Sequence, residues 1–260
     1  MAASLANNRS VARQVTLTAI ALVALVLVLV GLAIAVLTER SSRALVASSV
    51  GDTAQSVAQS LDAADNTNRE LVQLTMKGFQ RYFEATMQLD EATGELRSYG
   101  ALVNEDYGSV DKFASETGGI ATVFAKKGDD FIRITTSVKN DKGERQQGTP
   151  LGKDDPAYAT VTKGEPYTGV TVAGGKPYMG HYLPAKDASG KVIALLFIGN
   201  DISVFHAMLQ KQVTQTKFFE HGGTYVINPG TSLDKAVFVY HPTARGKRVL
   251  EAYPQARPFF

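Results

Sequence analysis

The residues best suited to chemistry in this chain lie between positions 131 and 187. In FIRITTSV, Phe131, Arg133, Thr135 and Ser137 stand two apart, the spacing that puts side chains on one face of a β-strand. Ile132, Ile134, Thr136 and Val138 then take the other face as packing. In KPYMGHYL, Tyr178, Gly180 and Tyr182 share a face opposite Met179, His181 and Leu183. If the two polar faces coincide, Arg133 stands among Tyr167, Tyr178 and Tyr182 beneath a covering helix that bears Tyr158, with Lys186 adding charge at the rim. A guanidinium offers a planar two-pronged donor and tyrosines add directed hydroxyls on apolar walls, so the expected ligand is a small carboxylate or an amino acid. The competing reading is structural: strand tyrosines pack with their hydroxyls at the surface, and a strand arginine pairs with a nearby acid. Asp201, ending LFIGND, is placed either to meet a ligand amine or to cap the next helix, and the cap is preferred.

Other chemistries find no residues. His181, His206, His221 and His241 are scattered without metal-ligand spacing, and cysteine is absent, so neither a metal site nor a thiol nucleophile is expected. There is no G-x-S-x-G elbow and no phosphate-cradling G-x-x-x-x-G-K motif; Gly118-Gly119 and Gly174-Gly175 read as turns. The chain is read as a non-enzyme with no cofactor. Its 27 basic and 25 acidic residues nearly cancel, which gives no nucleic-acid signature.

The elements that must position these residues follow from patterning. Val15 to Leu37 is an unbroken apolar run between Arg9 and Arg13 on one side and Glu39, Arg40 and Arg43 on the other. About 20 residues suffice to cross roughly 30 Å of hydrocarbon as a helix, so the run reads as an uncleaved single-pass anchor; a cleaved secretory signal is the alternative. The short, basic segment 1–14 is expected in the cytoplasm and the remainder outside, in a bacterial periplasm. A long helix follows, with Val50, Ala54, Val57, Leu61 and Ala64 as a seam for a partner helix in a homodimer, and Leu71, Leu74, Phe79, Phe83 and Met87 as a broader stripe that lies on a sheet.

Beyond Gly94, short apolar runs alternate with turn residues. Joints at Lys127 to Asp130, Gly174-Gly175 and Asp187 to Gly190 predict a mostly antiparallel sheet of about five strands in an α+β (mixed α/β) fold. The insertion from Lys139 to Pro166 is expected to hold a lid helix, with Asp155 as N-cap, Pro156 at the first position and Gly164 just past the end. A second helix is expected from Ile202 to Phe219, and GGTYVINPG and AVFVYHPTARGK read as the first strands of another sheet.

Several pieces in order carry a family resemblance: R-x-x-T-S at 133–137, Gly148-Thr149, D-P-A-Y at 155–158, G-x-x-Y-x-G at 164–169, G-K-P-Y at 175–178, Y-x-P-x-K-D at 182–187 and G-K-V-I at 190–193. Together they resemble the Cache 3/Cache 2 fusion found in bacterial methyl-accepting chemotaxis proteins. The resemblance implies a transmembrane receptor in the inner membrane whose PAS-like sensor domain binds a small molecule outside the cell. It divides the chain into a cytoplasmic N-terminus (1–14), a transmembrane helix (15–37), a long periplasmic helix (38–92), a Cache sensor domain (93–203), and a connecting helix with an incomplete second Cache module (204–260). It also implies a completed second module, a second membrane helix, a HAMP linker and a cytoplasmic coiled coil, which this sequence does not contain; a fragment, a truncated reading frame and a naturally short form all fit that reading. Sensor regions of this type also serve histidine kinases and cyclic-nucleotide enzymes. A membrane-anchored dimerisation protein without ligand is the third reading.

Overall fold

With no proline before residue 150 and a run of Ala, Leu, Val and Ser, the N-terminal part has nothing to interrupt a helix, and α1 extends over Ala2–Gln80. The structure is a computed structural model and describes residues 2–218 and 222–259. The chain divides into two units, residues 1–58 and 59–260. In the first, the side chains from Val15 to Leu37 are exposed, and by length and composition this stretch could cross a membrane.

In the second unit, α1 buries Val72, Met76 and Phe79, spaced four and three apart as one helical face requires. This differs in detail from the sequence expectation. Leu71 and Leu74 point outward, 49% and 59% exposed, and the helix stops at Gln80 rather than near residue 92. The last turn tightens through Arg81 N–H to Gly78 C=O and Tyr82 N–H to Phe79 C=O bonds. The rings of Phe79, Phe83 and Phe113 then meet edge to face, 5.3 Å apart in both Phe79 pairs, so tertiary packing overrides helix propensity. A small meander of β1 (Gln88–Asp90), β2 (Glu95–Ser98) and β3 (Ala101–Leu102) follows, then α2 (Gly108–Thr117), closed by Gly118 at φ +70°.

The main sheet is antiparallel throughout. Strands β4 (Ile120–Lys127), β5 (Asp130–Thr136), β6 (Tyr167–Ala173), β7 (Lys176–Lys186) and β8 (Val192–Asp201) lie in the order β5-β4-β8-β7-β6. The expected five-stranded antiparallel sheet is therefore present, with its three hairpin joints where the turn residues stand. Gly174 and Gly175, both at positive φ, make the two-residue β6–β7 turn. The central strand β8 reads as a continuous apolar run because both its faces are covered: Leu196 and Ile198 pack with α1 and α2, while Leu195 and Phe197 pack on the opposite side. That opposite side is roofed by the segment from Lys139 to Pro166, which carries the one-turn helix α3 (Tyr158–Val161), with Ala157 and Val161 fully buried on the sheet.

After the sheet come α4 (Ser203–Gln215), the short strands β9 (Lys217–Phe218) and β10 (Gly222–Gly223), the hairpin β11 (Val226–Asn228) with β12 (Val237–Tyr240), and α5 (Val249–Ala252). This last region has its own small core of Ala236, Phe238, Ala244 and Val249. The helix expected from Ile202 to Phe219 is shorter, ending at Gln215, because the chain turns there into the strand β9. His221 lies outside the described residues.

Candidate functional site

On the lid side of the sheet, three glycines stand in register across neighbouring strands, Gly169 opposite Gly180 and Gly180 opposite Gly199. Their missing side chains leave a trough that rings and aliphatic groups occupy. A Cβ on Gly169 would stand 2.6 Å from the Tyr167 hydroxyl oxygen, one on Gly180 3.0 Å from a Phe197 ring carbon, and one on Gly199 2.9 Å from Ile120 Cγ1. At Gly169 and Gly199 these separations are shorter than real Cβ contacts and at Gly180 the fit is tight, so a side chain at any of the three would make the neighbouring ring or aliphatic group shift. Tyr182 packs on Phe197 with ring centroids 4.4 Å apart and reaches Tyr167 at 6.3 Å and Phe124 at 6.4 Å.

Arg133 completes this aromatic group. Its guanidinium lies over the Phe124 ring, 5.2 Å from the centroid, in cation–π contact. Nη1 donates to Thr149 Oγ1 at 2.6 Å, while Nε is buried with no hydrogen-bond partner. An unsatisfied buried N–H of a charged group is costly to fold, so its presence needs a reason beyond stability. Burial holds the Arg133 pKa below the usual arginine range, opposed by the nearby Tyr182 and Asp155. The Tyr182 hydroxyl is pushed well above the ordinary tyrosine range, first by burial and then by the negative charge of Asp155; Arg133 and Thr171 act in the opposite direction. Asp155, expected as the N-cap of the lid helix, stands two residues before the observed N-cap, Ala157, and accepts the Ala157 N–H at 2.8 Å in the turn that leads into α3; its charge is also felt by both Arg133 and Tyr182. The signal for it in the sequence was an acid placed directly before proline at the start of the lid.

The eight residues singled out from sequence are distributed unevenly. Arg133, Tyr167 and Tyr182 come together with Phe124. Tyr178 shares their face but stands at its far end, paired across the strands with Asp201 and close to Gly199. Thr135 and Ser137 do not join them, which corrects the expected alternation along 131–137. The register between β4 and β5 shifts between Val123 and Phe124, so that Val123 faces Thr135 while Phe124 faces Arg133. This bulge absorbs an extra residue and reverses the side-chain parity beyond it. Thr135 therefore turns toward the helix-covered side, fully buried and donating to the Asp106 carbonyl at 2.8 Å. Ser137 Oγ accepts the Ala121 N–H at 2.9 Å, and Thr136 and Val138, expected opposite Arg133, lie on its side. The Tyr158 hydroxyl donates to the Asp129 carbonyl in the β4–β5 turn and so fastens the lid. Lys186 is exposed and runs past Gly164 at the lid's far end, a rim position. Asp201 Oδ1 accepts the Ser203 N–H at 2.7 Å; the N-cap position itself is Ile202, so Asp201 supports the first turn of α4 from one residue earlier than expected.

The family model of the Cache 3/Cache 2 fusion domain matches residues 37–260. Among curated proteins no match is found. Two solved structures show a distant similarity. One is the ligand-binding domain of the amino acid chemoreceptor PctC of Pseudomonas aeruginosa PAO1 in complex with GABA, at 13% identity and TM-score 0.35, covering 75% of this chain and 80% of that one. The other is the extracellular domain of mmHK1S-Z2, a protein assigned as a histidine kinase, at 12% identity and TM-score 0.31, covering 75% of this chain and 77% of that one.

Proposed function

This chain belongs to the Cache 3/Cache 2 fusion family, and from that premise we propose that it is the extracytoplasmic ligand-sensing region of a bacterial transmembrane chemoreceptor. Its ligand is a small organic anion or an amino acid, bound between the sheet and the lid without chemical conversion. The observation that carries this reading is the buried, unpartnered Nε of Arg133 among the rings of Phe124, Tyr182 and Tyr167. A carboxylate entering there would satisfy the orphan donor and gain a charge-assisted bond in a poorly hydrated site. Tyr178, Tyr158 and Lys186 are secondary candidates at the edges of the cleft and lid.

The apolar stretch of α1 anchors the chain in the inner membrane with the sensor region in the periplasm, and the seam from Val50 to Ala64 pairs two copies. Occupancy of the cleft favours one packing of α1 over another, because a ligand shifts a two-state element by its differential affinity for the states. A sensor for a histidine kinase or a cyclic-nucleotide enzyme would use the same cleft.

The test is thermal unfolding of the full chain in detergent against acetate, succinate, citrate, glycine, alanine and glutamate. At 100 times its dissociation constant a ligand stabilises by about 2.7 kcal/mol, a shift of a few degrees. At least one compound is expected to raise the midpoint, and Arg133→Ala to abolish that response. A response that survives Arg133→Ala places binding elsewhere. Silence across the panel favours the membrane-anchored dimerisation reading.

A further inference from the structure

Two consecutive residues of β6 look in opposite directions and touch different machinery. Tyr167 lies on the lid side, folded over Gly169 and next to Tyr182. Thr168 lies on the helix side, where its carbonyl accepts a bond from Arg69 Nη1 of α1 at 2.6 Å. Its hydroxyl meets His181 Nδ1 at 2.7 Å and lies 3.4 Å from Gln73 Nε2. Arg69 is itself oriented by Asp65, 2.6 Å away one turn earlier in α1. Among the described residues, the other polar link from α1 to the main sheet is the weak contact of Asn200 with Thr75 at 3.4 Å. The remaining attachment is the apolar stripe of Val72, Met76 and Phe79, which gives affinity without direction. A guanidinium bond to a main-chain carbonyl is directional and charge-assisted. Moreover, β6 is an edge strand bonded to β7 alone, so it can move more readily than the interior of the sheet.

We propose that Arg69 is a positioning residue that couples the packing of Tyr167 in the cleft to helix α1 through the Thr168 carbonyl. This rests on the sensor reading for its purpose, but not for its test. Displacing the Tyr167 ring shifts the β6 backbone, the Thr168 carbonyl moves with it, and Arg69 transmits that movement to α1.

The ring can be displaced without any ligand. In Gly169→Ala the new Cβ collides with the Tyr167 hydroxyl, and amide hydrogen exchange of the full chain in detergent reads the outcome. Exchange in residues 66–77 is expected to rise about fivefold, and the same substitution in an Arg69→Met background is expected to change it by less than about twofold. A purely structural Arg69 would loosen α1 when replaced, yet would leave the response to Gly169→Ala in place. Unchanged exchange in 66–77, or an equal response with Met at position 69, overturns the proposal. Should Gly169→Ala fail to fold, Tyr167→Ala removes the ring without overpacking and is judged by the same two comparisons. Since no ligand enters, failure here leaves the Arg133 binding test untouched, and failure there leaves this one standing.

Discussion

The two faces of the main sheet are built for different ends. On the helix side, Val123, Ile134, Met179, Leu196 and Ile198 meet Val72, Met76 and Phe79 of α1, and Val110 and Phe113 of α2. The contacts there are largely apolar, and buried hydroxyls such as that of Thr135 find acceptors. On the lid side, aromatic rings pack over a glycine trough around a guanidinium whose Nε has no partner. Among the described residues two buried side-chain polar atoms lack a partner, Arg133 Nε on the lid side and Ser203 Oγ at the start of α4. The violation at Arg133 is the costlier, because its group is charged, and a costly local violation inside an otherwise consistent fold is where function is expected.

The contrast is broken most severely from the helix side. Phe79 is fully buried and makes ring contacts with Tyr82, Phe83 and Phe113. Phe79→Ala is expected to cost about 4 kcal/mol, through lost burial and the cavity left behind. Urea titration of the full chain in detergent would measure it. A loss under about 1 kcal/mol would mean that this face is not the structural half of the molecule.

Half-buried Arg133 offers the sharper comparison. If Arg133 is kept for binding, Arg133→Met removes an unsatisfied donor along with one bond to Thr149 and a ring contact, and Thr149 Oγ1 keeps its bond to the Gln146 carbonyl. Stability is then expected to change by no more than about 1 kcal/mol in either direction, because a well-packed apolar side chain can replace a buried charge at little cost. The same urea titration decides it. A loss approaching that of Phe79→Ala would make Arg133 a structural residue.

How far this division could be read from sequence depended on the kind of signal. The strand joints were legible because Gly174-Gly175 and Asp187 to Gly190 punctuate strongly. The membrane-length run was legible because it is uninterrupted. The facing of Thr135 and Ser137 was hidden, since a bulge between Val123 and Phe124 leaves no mark in the local pattern and period-two reasoning carries on past it. The end of α1 at Gln80 was hidden for another reason: Phe83 and Met87 fit a helical stripe equally well, and the packing of Phe83 and Phe113 around Phe79 accompanies the turn of the chain. The same ambiguity exchanged Leu71 and Leu74 for Val72 and Met76 as the buried set. Arg133 was recognisable by type, but that its Nε would be orphaned could not be read at all, because satisfaction is a property of surroundings.

The smallest expected effect concerns His181, the titratable side chain buried on the helix side of β7. Burial holds its pKa below the usual histidine value of 6.5, so the folded state keeps the ring neutral where the unfolded chain would take up a proton. Above the unfolded value both states are neutral and nothing is lost. As pH falls below it, the unfolded state binds protons first, and stability declines until the folded pKa is passed. His206 and His241 are lowered by burial as well, so the whole protein should lose stability on acidification from pH 7 toward 5. His181→Gln should flatten part of that slope, while His206→Gln flattens a separate part. The comparison must be made in slope rather than in absolute stability, because replacing His181 also disturbs its bond to Thr168 at every pH. If the slope between pH 7 and 5 is identical in wild type and His181→Gln, this histidine is not held neutral by the fold. The helix face would then tolerate a buried charge beside the strand that Arg69 grips, and the contrast between an apolar face and a charge-bearing one would weaken at that point.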